Sequence, residues 1–227
     1  MTSPILITGT NKRVGLQLSE RLAEAGFDVL AVNRSPAAGH HPRIAHFQAD
    51  LRSTEERNAL IAFVRNSYPS LRGIIHNASL WLDDDLDNLD TMFRIHVEAP
   101  FHLNRELGDL LRQSAKADII HICDDSSSRG SKSHVAYAAT KAALQNMTLS
   151  FAALYGPDVH VNAISPGLLI FKEDSTPEYQ AKALNKAVLQ YEPGAEPLIQ
   201  AVFYLLESNY STGSNIVING GRHLRRN

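Results

Sequence analysis

Short apolar runs alternate with longer amphipathic stretches along almost the whole chain. The runs Ile5-Leu6-Ile7, Val29-Leu30-Ala31-Val32, Ile44-Ala45-His46-Phe47, Ile74-Ile75, Ile119 to Cys123, Val159 to Ile164 and Ile216-Val217-Ile218 predict seven strands. The stretches between them carry apolar residues at helical spacing. Leu16 to Ala25 stops before Gly26, and Thr54 to Tyr68 is opened by a capping box from Ser53 to Glu56. Strands separated by helices of ten or more residues imply βαβ units, hence parallel strands covered on both faces. The expectation is a single doubly wound α/β domain over residues 1–227, with a seven-stranded parallel sheet, helices on both faces, and no linker or repeat.

Two segments depart from the alternation. Asp124 to His134 is polar and Ser-rich, and Leu168 to Pro197 holds one helical pattern, Pro177 to Gln190, capped by Thr176. Ligands of an open α/β sheet bind outside the carboxyl ends of its strands, where both segments emerge. They are the expected substrate loops.

Composition narrows the partners without changing the fold. The 227 residues are 44% hydrophobic and 20% charged, ordinary for a globular chain with a full core. A formal net charge of -2 supplies no field for nucleic acid or anionic lipid. No run approaches the roughly 18 consecutive apolar residues of a membrane span. Met1-Thr2-Ser3-Pro4 leads directly into a strand-like run without a leader pattern, so a cytoplasmic location is expected. The single cysteine, Cys123, allows neither an intrachain disulfide nor a thiolate metal cage, and no metal site is expected. Inside the apolar run Ile119 to Cys123 it reads as a buried, inert thiol.

The first strand runs through Thr8-Gly9-Thr10-Asn11-Lys12-Arg13-Val14-Gly15 into a helix. Gly9 permits a tight turn, Gly15 permits close helix packing, and the helix N-terminus offers free N–H groups to an anion. Such a turn points to a nucleotide phosphate. The second strand ends at Asn33-Arg34-Ser35, where dinucleotide folds select a ribose; no acid stands there to accept from a free 2′-hydroxyl. Arg34 with Lys12 and Arg13 suits a 2′-phosphate, so NADP(H) is expected over NAD(H), although the same three residues could be plain surface cations. Asp50, after the third strand, is placed to accept from the adenine amino group or to lead a helix. Asn77-Ala78-Ser79, after the fourth, is placed under the ribose.

At the other end of the sheet Asp124 follows the fifth strand, and thirteen residues later Tyr137-Ala138-Ala139-Thr140-Lys141 begins a helical pattern. A spacing of four puts Tyr137 and Lys141 on one helix face. A neighbouring ammonium, together with the positive nicotinamide ring of the oxidised state, is expected to favour the phenolate of a group whose pKa is ordinarily near 10. Ser165-Pro166-Gly167 follows the sixth strand.

These motifs, in this order, resemble the short-chain dehydrogenases/reductases over Ile5 to Gly221. The resemblance implies a Rossmann domain with Tyr137, Lys141 and Asp124 as catalytic residues. It adds Val14, Leu51, Pro166 and Gly167 to the cofactor contacts, Lys141 anchoring the nicotinamide ribose, and a homotetramer. Three departures from the broad family point one way. Arg13 replaces the usual middle glycine, Asp124 stands where a serine is usual, and Trp81 follows the Asn77-Ala78-Ser79 segment. All three are similar to pteridine reductases. Further runs, among them His134 to Lys141, Ala183-Leu184-Asn185-Lys186 and Gly220 to Arg225, are similar to bacterial dihydromonapterin reductases, known also for side activity on dihydrofolate.

The resemblance therefore implies NADPH-dependent reduction of a 7,8-dihydropterin, with hydride passing to C6 of the N5=C6 bond. The pterin would stack between nicotinamide and Trp81, held by Arg13, Ser79, Asp124, Tyr137 and Leu168, with Phe171 and Tyr191 as further lid contacts. A sole tryptophan is also a natural core residue. The proton for N5 could come from Tyr137 or from water. His96 stands where the family commonly holds a proton-relay water with asparagine, and reads either as a relay or as an interior histidine. The run Asp83-Asp84-Asp85 with Asp87 and Asp90 reads as a solvated loop and helix start. Arg222-His223-Leu224-Arg225-Arg226 reads as a solvated tail or as a reach toward an active-site mouth. Two alternatives remain open at this level, a carbonyl or quinone reductase on the same scaffold and an NADPH-sensing binding protein. Asp124 weighs against the first, because a carboxylate only accepts and repels a developing alkoxide.

Overall fold

The computed structural model describes residues 3–36 and 41–225. Met1, Thr2 and Arg226, named above, lie outside the described residues. The seven expected strands form one sheet: β1 (Ile5–Thr8), β2 (Val29–Asn33), β3 (Ile44–Gln48), β4 (Gly73–His76), β5 (Ala117–Ile122), β6 (Val159–Pro166) and β7 (Asn215–Ile218). Their order is β3-β2-β1-β4-β5-β6-β7, and every pairing is parallel. The order reverses between β1 and β4, which opens a crevice at their carboxyl ends.

Among the described residues there are eight α-helices: α1 (Arg13–Glu24), α2 (Thr54–Ser67), α3 (Leu86–Phe93), α4 (Ala99–Arg112), α5 (Ser126–Arg129), α6 (Val135–Tyr155), α7 (Pro177–Leu184) and α8 (Glu196–Glu207). Alternation along the strands divides the core in two. Leu6, Leu30, Ile74, Ile119 and Val161 face α2, α4 and α6, while Ile5, Ile7, Ile75, Ile120 and Ile164 face α1 and α8. The central strands are therefore apolar on both sides, which is why they read as continuous hydrophobic runs.

Two local findings matter for the site. Between α3 and α4 the chain makes a π-helical turn, Arg94–Glu98, carrying His96. Pro100 has no N–H to give to the His96 carbonyl, so the α-helical ladder cannot close there and the turn widens. The second finding is a correction: the helix expected over Pro177 to Gln190 stops at Leu184. Thr176 caps it as expected, but Leu189 N–H donates instead to the Gly220 carbonyl at 2.9 Å, drawing the chain toward the strand β7 exit. Likewise α1 begins three residues before the expected Leu16, because Arg13 to Gly15 already turn as helix. Ser53 accepts from Glu56 N–H as the capping box requires, whereas the Glu56 carboxylate goes to Asp50 N–H and leaves the box one-sided.

Candidate active site

The turn after β1 is shaped by contact. Gly9 has φ 75°, and a Cβ there would come within 2.8 Å of the Ala78 Cα. A Cβ on Gly15 would stand 2.0 Å from the Gly9 carbonyl oxygen. Asn77 closes the far side, its side-chain amide donating to the Thr8 and Gly9 carbonyls at 3.1 and 2.8 Å, and the Thr8 hydroxyl receives the Asn77 and Ala78 N–H groups. Lys12 precedes α1 without a side-chain cap, so the first amides of that helix point out unclaimed at the positive end of its dipole.

Arg13 occupies the middle of the turn with φ 54°, alone among the described non-glycine residues in having a positive φ. That conformation costs a side chain roughly 1–2 kcal/mol. Its guanidinium donates to the Ile170 carbonyl at 2.5 Å, tying the phosphate turn to the first residues of the substrate segment.

Lys12, Arg34 and Ser35 are exposed beside this turn. Asn33 is turned inward: its side-chain oxygen accepts from Thr10 N–H at 2.6 Å and its amide donates to the Thr10 hydroxyl at 2.8 Å. The Asn11 amide meanwhile clasps the Ser35 carbonyl and hydroxyl, both at 3.0 Å. These two braces, carried by Thr10 and Asn11, escaped the sequence reading, since nothing local in the chain links residues more than twenty positions apart. Asp50 is held by Arg52, whose guanidinium reaches it at 3.0 and 2.5 Å and keeps its carboxyl below the usual range. An adenine amino group would have to share Asp50 with that arginine. The Val14 and Leu51 side chains pack into the two halves of the core, leaving their backbones to face the crevice.

On α6, Tyr137 and Lys141 are both buried. The Tyr137 hydroxyl donates to Asp124 Oδ2 at 3.3 Å, and Asp124 Oδ1 accepts from the Ser126 N–H and hydroxyl at 2.8 and 2.7 Å. All three partners donate, an arrangement suited to a carboxylate. Lys141 Nζ donates to the Ile122 carbonyl at 2.8 Å and lies 5.9 Å from the Tyr137 ring. Here the electrostatics depart from expectation. Burial, and next the Asp124 charge, push the Tyr137 phenol above its ordinary value, with the Ser79 hydroxyl working the other way. Burial also pushes the Lys141 ammonium down. Burial and Asp124 thus favour the protonated phenol.

His96 is fixed from every side. Leu80 N–H donates to its Nε2 at 3.2 Å, so that nitrogen is an acceptor, and the Ser79 hydroxyl joins it at 2.8 Å. Nδ1 then carries the hydrogen, which goes to the Thr140 hydroxyl at 2.9 Å, and Thr140 passes its own to the Tyr137 carbonyl. Burial, with Lys141 nearby, pushes the imidazole down to about 2. It is a neutral interior histidine that orients Ser79 toward the site. Cys123, pushed up to about 12 by burial, is an inert thiol.

Trp81 is 52% exposed, so it is not core packing. Its indole lies 4.8 Å from the Tyr137 ring and 4.5 Å from the His134 ring, forming one aromatic wall with the Tyr137 phenol. Asp84 supports that wall from behind: its carboxylate accepts from the Val135 and Ala136 N–H groups at 2.8 and 2.9 Å and so caps α6. It was read as a solvated loop residue. His134, which precedes α6, offers no cap of its own, and a cap supplied from fifty residues away leaves no local signal.

Leu168 is half-buried after Pro166, whose carbonyl takes Asp125 N–H at 2.9 Å, and Gly167, which donates to Ile218 at 2.8 Å. Phe171 lies 6.4 Å from Tyr179, edge to face, while Tyr191 stands exposed. The tail folds back on its own subunit. Arg222 Nε comes to 3.6 Å from Asp125, which also binds Arg129 at 2.6 Å and Asn219 at 2.7 Å, and Arg225 donates to the Asn185 carbonyl.

Comparison with known proteins agrees with this geometry. Residues 3–176 match the short chain dehydrogenase model. The dihydromonapterin reductase of Citrobacter koseri is 40% identical over 98% of this chain and 97% of that protein. That of an Escherichia coli strain is 41% identical over the same shares. Among solved structures, FolM alternative dihydrofolate reductase 1 from Brucella suis, in complex with NADP, superposes with a TM-score of 0.86 at 27% identity over 99% of this chain and 96% of that one. A 4-hydroxyisoleucine dehydrogenase with NADH, at 23% identity and a TM-score of 0.92, shares the fold.

Proposed function

The chain belongs to the short chain dehydrogenase family, and from that premise we propose that it is an NADPH-dependent reductase converting a 7,8-dihydropterin to the tetrahydropterin. The observation that carries the reading is the meeting of Tyr137, Asp124 and the half-exposed Trp81 ring at the carboxyl end of the sheet. Near relatives are dihydromonapterin reductases, so dihydromonapterin is the first candidate substrate and dihydrofolate the second.

The residues fit the dinucleotide. Gly9 lets the turn close tightly on Ala78, the first amides of α1 are open to a phosphate, and Lys12 and Arg34 suit a 2′-phosphate where no carboxylate repels it. When bound, NADPH supplies the hydride delivered to C6 of the substrate. Lys141 is placed to hold the nicotinamide ribose. Trp81 offers the flat face that orients a pterin ring, and such orientation contributes on the order of 7–11 kcal/mol to bimolecular reactions. Arg13 and Ser79 supply polar contacts to the ring edge. Tyr137, kept protonated by burial and by Asp124, holds a proton at its hydroxyl for N5. Asp124 also weighs against carbonyl reduction, since its oxygens accept and would repel an alkoxide.

The reading extends to a cytoplasmic homotetramer serving one-carbon metabolism. Among the described residues no helix is long and apolar enough to cross a membrane. Exposed Phe93, Phe101 and Leu149 give α3, α4 and α6 an apolar outer face suited to another subunit. The direct test of the reaction is Trp81→Ala. The Michaelis constant for dihydromonapterin should rise roughly tenfold or more, as loss of an aromatic stacking partner implies, while NADPH affinity holds within about twofold. Equal loss of both would count against the stacking role.

A further inference from the structure

We propose that Arg129, Lys182, Lys186 and Arg222 form a subsite for an anionic group, carboxylate or phosphate, carried on the side chain of the reduced pterin. The inference rests on the pterin reading and names the substrate class within it. Four cations converge beside the reacting groups from three parts of the chain: the end of α5, α7 with the turn after it, and the tail beyond β7. Asp125 gathers two of them, Arg129 at 2.6 Å and Arg222 at 3.6 Å, both on Oδ2, while its Oδ1 is taken by Asn219. Asp125 is the neighbour of Asp124, so the cluster begins one residue from the carboxylate that accepts from the Tyr137 hydroxyl.

The tail brings in the remaining two. Arg225 grips the Asn185 carbonyl, fixing the turn that displays Lys186, and Leu189 N–H on the Gly220 carbonyl seals the same junction. Lys182 stands in the last turn of α7, four residues before Lys186 in the turn that follows.

Charge in this cluster is unbalanced. Asp125 gives one carboxylate to two guanidinium groups, and Asp124 is committed to Ser126 and Tyr137. Lys182 and Lys186 make no ion pair among the described residues, and neither terminal nitrogen of Arg222 has a hydrogen-bond partner there. The cations press on one another: Lys186 is pushed down by burial and then by Arg222, Lys182 and Arg129, and Arg222 by burial and then by Arg129. Like charges held together by the fold are relieved by an anion. The neutral ring would meet the aromatic wall, and the charged end of its side chain would meet this cluster.

The test compares kcat/KM, at saturating NADPH, for three substrates: neutral 7,8-dihydromonapterin, dihydrofolate with its glutamyl carboxylates, and 7,8-dihydroneopterin monophosphate. Each is assayed with the wild type, Lys186→Ala, Lys186→Arg and the double variant Lys182→Ala/Lys186→Ala. The ratio of the anionic to the neutral substrate should fall roughly tenfold in Lys186→Ala, through KM, as expected for one charge-assisted hydrogen bond. It should fall further in the double variant and recover in Lys186→Arg. Raising salt should lower the wild-type ratio toward that of the variants. A ratio that moves only for dihydrofolate assigns a carboxylate; one that moves only for the phosphoester assigns a phosphate. Turnover with ratios equal in all four proteins overturns the subsite alone, whereas a wild type that reduces none of the three pterins overturns the pterin reading and the subsite with it.

Discussion

The two ends of the crevice are built by opposite means. On the nucleotide side the asparagines that shape the turn are paired inside the fold, Asn33 with Thr10, Asn77 with Gly9 and Asn11 with Ser35, and the glycines sit where a methyl group would collide with backbone. On the substrate side α7 buries none of its residues, Tyr179, Leu189 and Tyr191 are exposed, and the segment is held by a few backbone bonds and by charges from the tail. A dinucleotide presents the same phosphates every time, so its cradle can be made of rigid backbone. Substrate choice lies instead in long side chains, whose replacement leaves the sheet intact.

Tyr137 stands on the seam between these regions and should show the largest effect. Tyr137→Phe removes the held proton but no packing, so kcat should fall by about 10²–10⁴, the range for loss of a positioned acid. NADPH affinity should stay within about threefold, because Asp84 still caps α6 and Lys141 still binds Ile122. Pre-steady-state hydride transfer measured beside a fluorescence titration of NADPH checks both halves. A fall in kcat of less than tenfold would assign the N5 proton to water. With the wild type, no loss of rate from phenol ionisation is expected between pH 7 and 9 in this argument, since burial and Asp124 both hold the proton on.

The next effect belongs to the rigid side. His76 is buried on β4, paired with Asn104 at 2.8 Å, and Asn104 continues to His121 at 3.1 Å. Burial pushes the His76 imidazole down to about 4, with the Asn104 bond opposing. An unfolded histidine takes its proton near 6.5. The unfolded chain therefore binds more protons between these two values, and stability is whole above pH 6.5 and declines as pH falls toward 4. The depression corresponds to about 3 kcal/mol over the window. His96 and His121, which burial also pushes down, add slopes of the same sign. Urea unfolding at a series of pH values should show the sum, and His76→Gln should lower it by about one proton's share; an unchanged slope in the variant would locate the acid sensitivity elsewhere.

How much of this was legible in the chain follows the same division. All seven strands could be read, because buried parallel strands are continuous apolar runs and Gly26 and Ser53 punctuate them. Gly9, Gly15, Tyr137 and Lys141 could be picked out only from several motifs taken together in order along the chain, since each spacing is weak by itself. The end of α7 could not, since Leu189 is claimed by Gly220 across thirty residues. Nor could the ionisation of Tyr137: the sequence places Lys141 one turn away, but only the fold says how deep the phenol is buried and that Asp124, not the ammonium, sits on its hydroxyl. Asp84, Asp125 and Asn219 were overlooked for one reason, that each acts on a partner distant in sequence.

A pair of glycines puts the contrast between the two sides in its plainest form. Gly9 and Gly130 share φ 75°, and Gly130 has ψ 176° besides, a region nearly confined to glycine, so alanine meets backbone strain at both positions, roughly 1–3 kcal/mol at Gly130. They differ in what a Cβ would touch. At Gly9 it would press to 2.8 Å on the Ala78 Cα and 3.1 Å on its nitrogen, backbone atoms held in place by Thr8, whereas at Gly130 nothing lies within 4 Å. Overpacking against rigid atoms adds about 1–3 kcal/mol. Gly9→Ala should therefore lose stability through both strain and collision, and most of its NADPH affinity, whereas Gly130→Ala, strained but free of collision, should lose roughly 1–3 kcal/mol with NADPH affinity retained. The quantity to measure is the NADPH affinity of each variant by fluorescence titration, beside its stability by urea unfolding. Equal NADPH affinities in the two variants would mean that the nucleotide turn gives way as readily as the substrate loop, and that its rigidity comes from the bound dinucleotide rather than from the contacts described.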